Sequence, residues 1–235
     1  MENNIDFLEA QLSTAIDKKE KVDIINKLVS EISQEESERA IVLSHEAMKL
    51  AREINYEEGL AISTLSLGYI NYQLSQGDIS LGYLLRSLKH FKKSQNKKSH
   101  ALATHLISII YFSFGEHESA IAFDKDTIAI ASEVKDDIEG SALINIGEIY
   151  RELEKYEEAL EYYKKAYEFY EYNKSKENQV IALCKISLTL HSRRDFQDAK
   201  NYADKAIELA SGGEYIEGAA IAYNCIANIY RDSGE

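Results

Sequence analysis

Few side chains in this sequence carry the chemistry of catalysis or metal binding, and those few are badly spaced for it. His45-Glu46 and His117-Glu118 each begin the pattern of a zinc-binding helix, in which a second histidine one turn later completes a two-imidazole face and the glutamate acts as general base. The residue four places after each histidine is Lys49 or Ile121, so neither pair gains its second ligand. The six histidines and two cysteines show no metal-ligand spacing, and no phosphate-cradling glycine loop or strained nucleophile turn occurs. Cys184 and Cys225 sit inside helical patterns and read as small buried hydrophobes. Carboxylates abound, but in runs such as "RELEKYEEALEYYKK" they alternate with lysine at i,i+4, which favours helix and solubility over acid-base work. The expectation is a segment that is not an enzyme, holds no cofactor or metal, and acts by binding.

The elements that would position a binding surface are helices. The 235 residues include no proline and only 11 glycines, while 45% are hydrophobic, enough for a core and too little punctuation for sheet and tight turns. The formal net charge of −13 disfavours nucleic acid as a partner. One basic island, Lys89 to His100 ("KHFKKSQNKKSH"), runs against that balance; it reads either as a solvated connection between two helices or as a dock for an acidic partner or lipid headgroups. The N-terminus "MENNIDFLEA" is acidic where a signal peptide is basic, and the longest apolar stretch, 106–114, is too short to cross a bilayer. Together with cysteine usage this predicts a cytoplasmic protein with no membrane insertion.

A fixed period organises the chain. The position of Gly147 is taken in turn by Leu28, Gly68, Ser108, Gly147, Ser187 and Ala227, in steps of 40, 40, 39, 40 and 40. The position of Ala159 reads Ala40, Ser80, Ala120, Ala159 and Ala199, and that of Ala166 reads Ala47, Ser87, Thr127, Ala166 and Ala206. Small side chains at fixed points let two antiparallel helices approach closely, while larger neighbours such as Leu143, Ile146, Tyr150, Tyr156 and Tyr163 fill the space between hairpins. No hairpin buries its apolar face alone, so the hairpins must stack. Turn signals and polar links place helices near 4–17, 20–33, 36–53, 58–74, 78–94, 98–113, 117–134, 138–153, 156–172, 177–192, 196–210 and 216–232.

This pattern resembles the tetratricopeptide repeat, whose signature pairs a Leu-Gly step with a Tyr three residues later and an Ala further on. The resemblance runs from about residue 20 to the end, is best over 140–172, and is weakest over 21–53, where Lys27, Leu28 and Glu31 replace Leu, Gly and Tyr. The signature's early Trp is absent, and Arg52, Lys92, Ser132, Glu171 and Ser211 stand where its closing proline would be. The longer period is similar to that of kinesin light chains and many bacterial regulatory proteins. The resemblance implies an all-α fold, a right-handed superhelical solenoid of antiparallel hairpins, with residues 1–19 as an N-terminal helix or cap and 20–235 as an array of about five and a half repeats.

The family also implies a concave groove lined by the first helix of each hairpin. On the best copy the free stripe is Ser141, Asn145, Glu148 and Arg151; the period extends it to Tyr69, Tyr72, His105, Ile109 and Phe112 on one side and to Lys185, Leu188, His191, Asn224, Asn228 and Arg231 on the other. An apolar, aromatic half and a polar, partly basic half would suit a protein or peptide segment with one apolar and one acidic end. The last repeat stops after its first helix, which would leave Ile221, Ile226, Ile229 and Tyr230 partly open and able to join a second copy in a homo-oligomer. The implied role is an interaction module, the N-terminal sensory or regulatory part of a larger bacterial signalling protein of diguanylate cyclase or histidine kinase type. The alternatives are a stand-alone receptor for a small signalling peptide and a self-assembly scaffold.

Overall fold

The computed structural model describes residues 2–32, 36–211 and 216–233. Among them are twelve α-helices and no strand: α1 Glu2–Thr14, α2 Lys18–Glu31, α3 Ser37–Glu53, α4 Glu57–Gln73, α5 Gly77–Phe91, α6 Lys97–Ser113, α7 His117–Val134, α8 Ile138–Glu152, α9 Tyr156–Tyr172, α10 Lys176–Ser192, α11 Phe196–Ala210 and α12 Ile216–Ser233. The expected end of the second helix at residue 33, the link at 212–215 and the residues after Ser233 lie outside the described residues. The expected first helix, 4–17, runs three residues too far, because Asp17 is itself a cap: its side chain accepts from the Glu20 amide at 2.9 Å and starts α2.

The helices fall into two compact units, Met1–Val134 and Lys135–Glu235. In the first, α1 packs on α2 and the helices to α7 pack in chain order, with α2 also meeting α4 and α4 meeting α6. In the second, α8 to α12 pack in order and α10 meets α12. Both are built as the sequence period requires. Val22, Ile25, Leu84, Phe91 and Ile107 are fully enclosed in the first unit, and Ile146, Tyr163, Leu183 and Ile186 in the second. Each such side chain contributes about 1.5–3 kcal/mol by leaving water.

The small positions do what their spacing predicts and add a bond. In α6/α7 the Ser108 hydroxyl donates to the Ala120 carbonyl at 2.8 Å, and in α10/α11 Ser187 donates to Ala199 at 2.7 Å. In α4/α5 the direction reverses, with Ser80 donating to the Gly68 carbonyl at 2.6 Å. The α8/α9 pair has no hydroxyl there; the ring of Tyr163 lies on Gly147 instead, and a Cβ at Gly147 would sit 2.5 Å from Cε1.

Most interhelix turns share one device that the sequence conceals. Asn55, Ser75, Gly115, Lys135, Glu154, Lys174 and Arg194 all have left-handed backbone, with φ from 53° to 76°. At the α8 end, Glu154 N–H bonds to Arg151 O at 3.0 Å and Lys155 N–H to Tyr150 O at 2.9 Å, the paired closure that satisfies the last helical carbonyls. Only one of the seven is glycine.

Two substitutions in one hairpin should therefore move stability in opposite directions. Gly147→Ala forces a methyl against an enclosed ring and is expected to cost about 1–3 kcal/mol. Glu154→Gly relieves a side chain at φ 58° and is expected to add about 0.5–1 kcal/mol. Urea unfolding monitored by circular dichroism checks both signs.

Candidate functional site

In the first unit, α2, α4 and α6, with Ser37 and Ala40 of α3, line an open cavity of about 800 Å³. Its floor is apolar, formed by Val29 of α2, Ile62, Leu65 and Ile70 of α4, and Leu102 of α6. Polar groups stand around it: Asp23, Asn26 and Lys27 on α2, Ser66, Tyr69 and Gln73 on α4, and Ser99 on α6. Two of these are fixed from behind. Asn26 donates through Nδ2 to the Gly59 carbonyl at 3.2 Å and accepts from the Ser63 hydroxyl at 2.8 Å, while Asp23 accepts from the Tyr56 hydroxyl at 2.9 Å. Burial, reinforced by Asp23, pushes the Tyr56 phenol up to about 12, so it remains a donor at neutral pH.

Of the five residues assigned to the apolar, aromatic end of the groove, the structure brings only Tyr69 to this cavity, and Ile109 is half-buried on α6. Tyr72 is half-buried against the cluster of Leu84, Phe91 and Leu106. His105 faces the hairpin interior, its Nδ1 2.7 Å from Oδ1 of the fully buried Asp124 on α7. Phe112 is half-buried with its ring 5.9 Å from that of His117. The lining stripe of α4 is Ile62, Ser66, Tyr69 and Gln73, advancing by four, three and four. Taking the last step as three selects Tyr72 and misses Gln73; a strict continuation of the helical face would have found it.

In the second unit, Glu148, Arg151 and Lys185 come together as partners of one another. Glu148 Oε1 lies 2.8 Å from Lys185 Nζ and accepts from the Tyr163 hydroxyl at 2.8 Å. Its Oε2 accepts from Arg151 Nη2 at 2.8 Å and Nε at 3.3 Å. Burial pushes the Glu148 carboxyl up, but the donors Lys185, Arg151 and Tyr163 outweigh it and hold the group below its ordinary value. Burial and the adjacent carboxylate drive the Tyr163 phenol far upward. Two cations share one carboxylate, so the cluster keeps one net positive charge, and Arg151 and Lys185 retain 39% and 33% side-chain exposure for a further acceptor.

The remaining residues of this half are spread along α8, α10 and α12. Asn145 is half-buried on α8, His191 Nε2 lies 3.0 Å from Asp232 Oδ2, Asn224 is exposed, Asn228 is half-buried, and Arg231 pairs with Asp232 at 2.8 Å. Cys184 and Cys225 are free, buried thiols, and the neighbouring Cys225 together with burial pushes the Cys184 thiol up. Among the described residues, no group of three or more His, Cys, Asp or Glu is arranged to hold a metal, and no helix is long and apolar enough to cross a membrane.

Because Glu148 has a lower pKa folded than unfolded, its contribution to stability is complete above its unfolded value of about 4.3 and disappears as pH falls through the folded value. Glu148→Gln is expected to cost about 1.5–3 kcal/mol at neutral pH, through lost charge-assisted bonds. That difference from the parent protein should shrink below about pH 4, as denaturant titrations across pH will show.

No curated protein matches the sequence. The tetratricopeptide repeat family profile matches residues 139–211. Solved structures resemble almost the whole chain at low identity. One is the STAND signal-transduction ATPase with a tetratricopeptide repeat sensor from Pyrococcus horikoshii, at 19% identity and TM-score 0.82, covering 98% of this chain and 36% of that one. The chain thus spans about a third of that protein's length. The apo quorum sensor NprR from B. thuringiensis follows at 18% identity and TM-score 0.75, covering 98% and 64%. A Rap protein complexed with competence and sporulation factor has 17% identity and TM-score 0.69, covering 97% and 70%. The 40-residue period and the paired helices agree with these likenesses: residues 139–211 match the tetratricopeptide repeat family, and the chain as a whole has the fold of tetratricopeptide repeat structures.

Proposed function

We propose that this chain is a protein- or peptide-binding module whose ligand seats apolar side chains in the cavity between α2, α4 and α6. The observation that carries the reading is the cavity itself: about 800 Å³ with an aliphatic floor and polar groups held in place around it, the composition of sites that bury a few side chains and orient them by hydrogen bonds. In the second unit the net positive charge shared by Glu148, Arg151 and Lys185 suits an acidic residue of a ligand, which would add a second acceptor to cations already oriented.

The signalling context rests on resemblance. A tetratricopeptide repeat sensor in a STAND ATPase, a quorum sensor and a Rap protein bound to competence and sporulation factor support a sensory or regulatory part of a larger bacterial signalling protein. The effector class we assign it, diguanylate cyclase or histidine kinase, and a cytoplasmic location are inferences from the repeat type. A stand-alone receptor for a small signalling peptide is the second reading, favoured by the peptide-bound Rap structure, 70% of which this chain covers. Self-assembly through α12 is a third, favoured by Tyr223, whose exposure is 59% where the corresponding Leu143 is 7% exposed.

Panning a random peptide library on the purified chain should enrich sequences with a large apolar residue. Tyr69→Ala combined with Leu102→Ser, at sites already 43% and 36% exposed and therefore tolerant, should weaken each enriched peptide by about tenfold or more. Enriched peptides that bind parent and variant alike, measured by calorimetry, would place the site elsewhere.

A further inference from the structure

The distribution of charge marks a second surface, independent of the cavity. From Ile79 to Gly115, 37 consecutive residues contain none of the chain's 40 Asp and Glu but six of its 27 Lys and Arg. An even spread would put about six carboxylates there. The segment forms α5, the turn after it and α6, so the segregation covers one structural edge rather than a stretch of sequence alone.

Arg86, Lys89, Lys92, Lys93 and Lys98 are exposed along this edge. Among the described residues, no carboxylate pairs with Lys89, Lys92 or Lys93, and Lys97 reaches only the exposed Glu133 of α7, at 3.5 Å. The lysines and His90 at the α5 end have a structural reason, since cations favour a helix C-terminus. At the start of α6, Lys97 and Lys98 occupy a first turn that holds no acidic residue and stand against the dipole, with Glu133 of α7 beside Lys97. His100 registers the resulting field. Burial lowers its pKa first, and Lys97 and Lys92 lower it further, outweighing Asp126 across on α7.

We propose that the edge formed by the end of α5, the turn at 92–96 and the start of α6 is a docking surface for an acidic, Asp/Glu-rich segment of a partner protein. Charge complementarity selects the class. The rest of the chain carries 21 Lys and Arg against 40 Asp and Glu, so a nucleic acid or an anionic bilayer, each extending well beyond the edge, meets a repelling surface within about a Debye length of 8 Å. A short peptide segment meets mainly the cations, with Glu133 beside Lys97 and Asp126 near His100 as the neighbouring carboxylates. Nor does the edge offer a platform for bases: Phe91, the one Phe or Tyr in the island, is fully buried.

The test uses the full chain and a fluorescein-labelled peptide of alternating Glu and Ser, followed by anisotropy beside a Gln-Ser peptide, an oligo-dT strand and phosphatidylserine vesicles. The Glu-Ser peptide should bind, and its affinity should fall about tenfold between roughly 50 and 250 mM salt. Lys89→Glu, Lys92→Glu and Lys93→Glu together should remove about tenfold or more at low salt, and the three Lys→Gln changes should give an intermediate loss with unchanged helicity. Tyr69→Ala with Leu102→Ser should leave this binding intact, which separates it from the cavity. Equal binding by parent and reversed variant, or capture of oligo-dT or vesicles in preference to the peptide, would overturn the proposal.

Discussion

The closest approach of the two helices in each hairpin is the constraint from which the rest of the structure follows. At that point a residue of the first helix faces one on the second helix that is fully enclosed, and at least one of the two is small. Gly68 faces Leu84 and Gly147 faces Tyr163, with the glycine lacking the Cβ that would collide at 2.6 or 2.5 Å. Where the first helix supplies Ser108 or Ser187, the corresponding enclosed residue is Asp124 or Ala203; where it supplies Leu28, that residue is Ser44. A large residue on one helix is always met by a small one on the other, while Ser187 and Ala203 are small on both sides, so close packing limits the pair without fixing its total. The hydroxyls of Ser80, Ser108 and Ser187 then cross the short gap to a carbonyl on the other helix, each bond adding about 1 kcal/mol.

This constraint explains which features were legible in the residues. The fold was, because small positions at a regular step specify hairpins whatever else varies, and the helices were placed to within three residues. The seven left-handed turns were not, since six of them use Asn, Ser, Lys, Glu or Arg where glycine would have announced the conformation. The first copy, weakest in sequence, survives because its Leu28 joins Leu8 and Ile24 in a cluster covered by α1, so the missing small residue is balanced by an added helix.

The candidate site was legible only in part, for a related reason. The period says which positions lie on the first helices, but whether a side chain there stays available depends on what the enclosed position opposite requires. Asp124 lies at zero exposure, where an unpaired carboxylate would be prohibitively costly, so it engages His105 and draws that imidazole out of any groove. Tyr163 fills the space over Gly147 and brings a hydroxyl with it, and that hydroxyl goes to Glu148. Tyr69 has no such obligation and remains at the cavity. Pattern can assign a face; only the partner's chemistry decides whether the face is occupied.

The same reasoning ranks the two kinds of recognition surface. Glu148, Arg151 and Lys185 are oriented by bonds within the second unit, so a ligand carboxylate there must share cations that already have a carboxylate, and its gain is reduced by that competition. The floor between α2, α4 and α6 faces no competition of this kind, because aliphatic side chains have no bonds to surrender and apolar burial adds in proportion to area. On the proposed function, affinity is therefore expected from the first unit's cavity and only a charge preference from the cationic cluster. The physical ground for this difference lies in the packing, which leaves carbon free on one side and cations already paired with a carboxylate on the other.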